Sequence, residues 1–497
     1  MSPTARVLIA PLLKAPFNQT LLKIAGAAII VQFVIFKCYY PFASFINGDS
    51  YVYLQSAYFN LDINTYPVGY SKFLRIFSTF TRSDTALVAV QYLAVQASAL
   101  WLVFTLFNRY KPRKAARTII VVTVVANPAL LYISNYVSSD ALFLSLSLAW
   151  FTTLIHIVKA PTLKNMALQA ALLLAAFMVR YNALYYPLLA AITIALTRQS
   201  VKKKLLGIGL SVLPVVIFIG YNTSRYYAET GIREFTPFSG WQLANNALYA
   251  YRYVGNENLK TPPLSLQPLD HLVRHYFDTS RDLRLHPEEM IVASTVYMWD
   301  PRSPLNKFME QENKKDSGAG YLKRWARMAP LYAQYGSWLI KQYPQAYLNH
   351  FLLPNAAKYY SPPPEFLDNY NMGRDTVARI AQAWFEYPSQ KVRPSAKDSK
   401  IKVMTAIPIV AAVMNIIFVL GWIGLALLPS TDSRPTQWKI LLLAGILWVV
   451  NFCFSILASP VTLRYQLFGL IIFSSFAILL LDRILEKAFN THCSASD

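Results

Sequence analysis

The feature that most constrains this chain is a succession of apolar runs, several of which reach the roughly 20 residues a helix needs to cross a bilayer core. In lipid, such a run must satisfy its own backbone N–H and C=O groups, which selects helix. Spread over 497 residues that are 55% hydrophobic and 14% charged, the pattern specifies an all-α polytopic membrane protein. A formal net charge of +22 would suggest nucleic acid in a water-soluble chain. Here the basic residues fall in short connections, where Lys and Arg mark the cytoplasmic side, so membrane lipids are the partners and no nucleic acid is implied. Cys38, Cys453 and Cys493 are scattered in or near apolar segments and the tail, so neither a disulfide framework nor a zinc cluster is indicated.

The first run, about Ile24–Tyr40, is preceded by Arg6, Lys14 and Lys23 and reads as an uncleaved insertion signal. A long loop follows. In it, Asn64 to Tyr70 reads as a turn and Ser71–Phe80 as an amphipathic helix lying on the membrane surface, with Lys72 and Arg75 among aromatic and aliphatic residues. The second span is about Ala86–Phe107. Behind it, residues 108–117 carry five basic residues and no acid, which places that loop in the cytoplasm and the preceding one outside. Spans at about Thr118–Val137 and Ala141–Val158 meet in a short external turn containing Asp140. Met166–Thr197 is too long for one crossing; Arg180 and Pro187 suggest two spans hinged near Val179-Arg180-Tyr181-Asn182.

A further span at about Leu205–Tyr221 leads outward into residues 223–400, rich in Tyr, Pro, Trp and charge, with helical patterns at Tyr321–Tyr335 and Gly336–Phe351 and no alternating strand set. This segment is expected to be a mainly helical external domain. Spans at about Val403–Leu428, Ile440–Ala458 and Phe468–Leu485 follow, with Arg434 and Lys439 in a cytoplasmic loop. The expectation is about ten transmembrane helices with both termini cytoplasmic, divided into a membrane module (1–222), the external domain (223–400) and C-terminal helices (401–497). No internal repeat of the kind that builds inverted-repeat transporters is evident.

Each short external connection holds charge at the lip of the bilayer: Asp49, Asp140, Arg180 with Tyr181, and Arg464 with Tyr465. Ionisable groups at such depth are costly and usually face a cavity. Two acids and two arginines on one face suit attack of a hydroxyl on the anomeric carbon of a lipid-phosphate sugar. That reaction needs a base for the hydroxyl proton and cations for the departing phosphate. The plainer readings are helix caps for Asp49 and Asp140 and headgroup anchors for Arg180 and Arg464. His271 and His275 lie four apart without the Glu of a zinc-protease motif, so no metal ligands are assigned. Trp241, Trp299, Trp325 and Trp338 read as core or interfacial aromatics, with stacking on sugars the alternative.

The first loop, with Gly48-Asp49-Ser50 and Tyr53, resembles the acidic first loop of the GT-C glycosyltransferases, among them the protein O-mannosyltransferases and lipid A aminoarabinose transferases. Tyr66-Pro67-Val68-Gly69-Tyr70-Ser71-Lys72 is similar to their Pro-Gly-aromatic segment. Asn127-Pro128 followed by Ser138-Ser139-Asp140-Ala141-Leu142 is similar to their second acidic loop, and Arg464-Tyr465 precedes the last span as in that family. The likeness covers residues 24–222 and, loosely, the C-terminal spans. Some members carry a paired Asp-Glu in the first loop where Ser50 here follows Asp49, which leaves a divalent metal and the acceptor class open. The resemblance implies a polyprenyl-phosphate sugar donor and a protein, lipid or glycan acceptor at the external face of the cytoplasmic (inner) membrane. Asp49 would be the catalytic base or would bind the acceptor, and Asp140 would support the acceptor or the sugar hydroxyls. Lys72, Arg180, Tyr181, Arg464 and Tyr465 would hold the donor phosphate, with Ser50, Tyr53, Tyr66 and Tyr70 lining the pocket. The competing readings are a polytopic transporter or lipid flippase, which should carry charges or broken helices near mid-membrane, and a scaffold whose external domain binds a partner.

Overall fold

A computed structural model describes residues 15–278, 285–289, 295–314, 318–395, 400–427 and 435–494. Arg6, Lys14, Arg434 and the side chain of Cys493 lie outside the described residues. Among the described residues the chain is helical, and its only β-type pairings are isolated bridges. Eight helices among the described residues are long and apolar enough to cross a membrane.

The chain begins with α1 (Pro16–Tyr39), followed by two short helices, α2 (Asp49–Tyr58) and α3 (Gly69–Ser78). Next come α4 (Asp84–Tyr110) and a span in two pieces, α5 (Lys114–Val125) and α6 (Pro128–Asn135). The break falls at Asn127-Pro128, where the Asn127 side chain accepts from the Ala129 N–H (3.0 Å) and Pro128, lacking an N–H, opens the new helix. Helix α7 (Ser139–Lys159) packs against α4 and α8 (Leu163–Val179).

The hinge expected around Arg180 is present. Arg180 is extended, a 3₁₀ turn covers Tyr181–Tyr185, and Pro187 sits in the first turn of α9 (Tyr186–Ala195). At 17 and 10 residues, α8 and α9 are each shorter than a full crossing. Trp150 of α7 stacks on Tyr186 with ring centroids 3.9 Å apart, and the Tyr186 hydroxyl donates to Ser147 Oγ (2.8 Å), which pins α9 to α7.

After α10 (Val201–Thr230), the polar region is built on α11 (Phe238–Tyr251) and α15 (Tyr321–Gln342), with α12 (Gln267–Asp278), α13 (Val296–Trp299) and α14 (Pro304–Glu312) between them in sequence. Its own core, from Trp241 to Phe351, centres on Trp241 stacked on Trp325 (5.5 Å) with Tyr332 edge-on at 4.6 Å. The two helical patterns read from the sequence up to Phe351 resolve into α15 and, past Tyr343, α16 (Pro344–Tyr347) and a π-type turn. Next come α17 (Leu353–Tyr360) and α18 (Arg379–Phe385). Residues Val377 to Val392 do not join the polar core. They pack on Tyr53, Leu54, Tyr70 and Leu74 of the first loop, and the Tyr387 hydroxyl donates to Asp84 (2.7 Å).

The chain closes with α19 (Ile407–Leu427), α20 (Pro435–Ala458) and α21 (Leu463–Ser494). Helices α1, α10 and α19 leave Ile30, Val31, Leu213, Ile217, Ile409 and Leu420 more than half exposed. In water that would be a large aggregation-prone surface; against lipid tails it carries no penalty. At one end of the bundle Arg113 pairs with Asp482 (2.5 Å) and Gln437 donates to the Arg109 carbonyl (2.6 Å). Asp482 lies roughly 28 Å along α21 from Leu463 at ~1.5 Å per residue, so the loops bearing Asp49, Asp140, Arg180 and Arg464 meet at the opposite end.

Candidate active site

Two backbone links bring the acidic loops together. The Ser44 N–H donates to the Asn135 carbonyl (2.9 Å) and the Val137 N–H to the Ser44 carbonyl (2.9 Å), a short parallel bridge between the first loop and the end of α6. Gln91 of α4 extends the clamp: it accepts from the Tyr70 hydroxyl (2.8 Å) and donates to the carbonyls of Ser134 (2.8 Å) and Tyr136 (3.2 Å). The chain then turns at Gly48, whose φ of +91° is a conformation that side chains rarely adopt, and α2 starts with Asp49.

Neither acid is spent on capping its helix. Gly48 precedes α2 with no side-chain cap, and Ser138 caps α7 by accepting from the Asp140 N–H. The Asp49 carboxylate instead accepts from the Tyr66 hydroxyl through Oδ1 (2.7 Å) and from Arg464 Nη1 through Oδ2 (3.1 Å). Two of its roughly four lone-pair positions are thereby taken. Its side chain remains 20% exposed, on the wall of a cavity of about 540 Å³. Asp140, at 2% exposed, pairs with Arg180, accepts from Ser138 Oγ (2.9 Å) and lies 3.7 Å from Arg464 Nη1.

Arg464 is fixed by the turn before α21. Asn355 of α17 donates to the carbonyls of Ile456 and Ser459 and accepts from the Val461 N–H (3.1 Å), while the Leu463 N–H donates to the Pro363 carbonyl (2.9 Å). Its guanidinium also reaches a third acid, Glu365, with Nε 3.3 Å from Oε2. The sequence reading did not single out Glu365. It sits after Pro362-Pro363-Pro364 with a left-handed φ of +57°, a strained conformation for a non-glycine residue that tends to occur at functional sites. The Tyr136 hydroxyl holds this stretch by donating to the carbonyls of Phe366 and Asn369.

The Tyr465 ring lies between the two guanidiniums, 4.8 Å from Arg180 and 4.6 Å from Arg464. Its π-system attracts both. Arg180 makes its one hydrogen bond, among the described residues, through Nη1 to Asp140, so its Nε and Nη2 donors are uncommitted, and the residue lines the cavity. Asn182 lines the same wall with no hydrogen bond to its amide among the described residues, and it too was not picked out in the sequence. Burial, followed by the adjacent Asp49 carboxylate, pushes the Tyr66 phenol well above its usual range, so Tyr66 keeps its proton and donates a hydrogen bond to Asp49.

The other sequence candidates divide. Tyr53 and Tyr181 line the cavity, with the Tyr53 hydroxyl bonded to Ser139 Oγ (2.9 Å) and the Tyr181 hydroxyl accepting from Asn222 (3.1 Å). Ser50 and Tyr70 lie behind the wall, Ser50 Oγ accepting from the Ile46 N–H (2.8 Å). Lys72 turns away altogether, binding Asn60 Oδ1 (2.9 Å) and Asp62 (3.2 Å). A divalent metal does not fit among the acids: no group of three His, Cys, Asp or Glu suited to hold one occurs among the described residues. The Arg464 guanidinium takes the place between Asp49, Asp140 and Glu365 that a cation would need. The sequence matches no protein-family model and no curated protein, and no solved structure matches the chain.

Proposed function

We propose that this chain is an inverting glycosyltransferase of GT-C type, moving a sugar from a polyprenyl phosphate to an acceptor hydroxyl at the external face of a cytoplasmic membrane. The observation that carries this reading is Asp49, partly exposed on the wall of a cavity of about 540 Å³ whose other walls present Arg180 and Arg464. In this topology the short α8 and α9 complete ten crossings, both termini are cytoplasmic and the polar domain is external.

The acceptor oxygen attacks the anomeric carbon from the face opposite the phosphate. The bond from that carbon to the phosphate oxygen breaks, its electron pair leaves with the phosphate, and the acceptor proton passes to Asp49. The unspent Nε and Nη2 donors of Arg180 suit bidentate contact with the departing phosphate. Asp140 is a positioning residue that aims Arg180, and Tyr66 fixes the Asp49 carboxylate. Binding all reacting groups in one place removes much of the entropic barrier. A transporter would carry its charges along a path through mid-membrane, whereas these are gathered at one end of the bundle.

The test is turnover of labelled polyprenyl-phosphate sugars by purified protein in micelles. Asp49→Asn should fold normally, with an unchanged size-exclusion profile, and lose transfer by about 100-fold or more, as expected for removal of a general base. Wild-type transfer rates in D49N would sink the assignment.

A further inference from the structure

The cavity has a second wall, contributed by the polar domain and the turn before α21, that the reaction above does not use. Of the four tryptophans considered in the sequence, Trp241 and Trp325 are fully buried, whereas Trp299 lines the cavity and is 36% exposed. Its ring is backed by Tyr66 at 5.7 Å and Phe238 at 6.1 Å. Beside this platform Gln242 of α11 is oriented by donating to Asn246 Oδ1 (2.7 Å), and its Oε1 accepts from nothing among the described residues. Thr462, 2% exposed, also lines the cavity, and its hydroxyl is buried without a hydrogen-bond partner. A buried polar group left unsatisfied is costly, as for the Thr462 hydroxyl, while the Gln242 Oε1 and the half-buried Asn182 amide line the same cavity with hydrogen-bonding capacity to spare.

We infer that this wall is a carbohydrate-binding subsite that takes a neutral glycan as the acceptor, its apolar C–H face on Trp299 and its hydroxyls on Gln242 and Asn182. This rests on the glycosyltransferase reading and specifies its acceptor class. Carbohydrates present one apolar face and a rim of hydroxyls, each both donor and acceptor, which an aromatic platform edged by amides and hydroxyls matches. A basic peptide would call for a fixed acidic wall. Of the cavity's three carboxyls, Asp49 and Glu365 lie against Arg464, and the third, Glu234, is half-buried, which raises its pKa. Tyr66 belongs both to the platform and to the Asp49 pair, so a sugar stacked there lies beside the base.

The full chain, purified in micelles and fluorescently labelled, is laid over arrays of neutral oligosaccharides and of Ser/Thr-containing peptides, without donor. Retention on a subset of oligosaccharides and not on peptides is expected. It should weaken about tenfold, equivalent to about 1.4 kcal/mol, in Trp299→Ala, weaken in Gln242→Ala, and persist in Trp299→Phe. Retention on peptides alone, on neither array, or on oligosaccharides undiminished in W299A overturns the subsite. The two proposals fail separately: oligosaccharide binding without donor turnover defeats the enzyme and leaves the subsite, whereas transfer to a non-carbohydrate acceptor does the reverse.

Discussion

Arg464 is where three carboxylates converge, with Asp49 at 3.1 Å, Glu365 at 3.3 Å and Asp140 at 3.7 Å, and its side chain is only 10% exposed. Removing one partner of a buried ionic network leaves the others uncompensated, at a cost of about 3–5 kcal/mol. Arg464→Ala should therefore lower the thermal midpoint in detergent clearly. Adding Asp49→Asn to R464A should recover part of that loss, because it neutralises a carboxylate that has lost its guanidinium partner; a midpoint unchanged in R464A would show that the cluster does not bear on the fold. Arg464 was legible in the sequence because a charge at the start of an apolar span is conspicuous. Glu365 was not, since an acid in a polar, proline-rich stretch is unremarkable until the fold lays it against α21. Lys72 shows the converse: its place on an amphipathic helix was visible, but the side chain's direction was decided by Asn60 and Asp62.

At the scale of elements, α3 is fitted against the end of α8, just where the chain breaks at Arg180. A Cβ at Gly69 would collide with the Met178 carbonyl, so the approach depends on the absence of a side chain there. Gly69→Leu should push α3 away, costing at least the roughly 1–3 kcal/mol of core overpacking. It should lower the thermal midpoint and reduce transfer together, because Tyr66 and Arg180 flank the contact. Stability and turnover equal to wild type would refute that role. The sequence placed this helix at Ser71–Phe80 and the structure at Gly69–Ser78, a difference of two residues. The interruption of the third span at Pro128 was not anticipated, because an apolar run conceals a break whose consequence is the placement of Asn135 and Tyr136 against the first loop.

Across the whole molecule, Asp49 and Arg464 are 415 positions apart yet share a hydrogen bond, so the site exists only once the bundle has closed. The sidedness that follows from the charged loops can be tested directly. In a background with Cys38, Cys453 and Cys493 changed to Ser, the exposed positions Asn47 and Lys203 are each converted to Cys. Asn47→Cys should react with a membrane-impermeant maleimide in intact cells, and Lys203→Cys only after permeabilisation. Labelling of both from one side would remove the external site.

The sequence by itself determined that the chain spans a membrane in many helices, and it marked the hinge at Arg180 and most of the charges at one rim. It could do so because hydrophobic run length and charge position are local properties that a bilayer reads directly. Only the tertiary structure decided which of those charges meet, that Glu365 and Asn182 join them, that Lys72 does not, and that Trp299 faces the cavity while Trp241 and Trp325 are core. Those outcomes depend on side-chain direction and on contacts between segments hundreds of residues apart, and no local pattern along the chain encodes them.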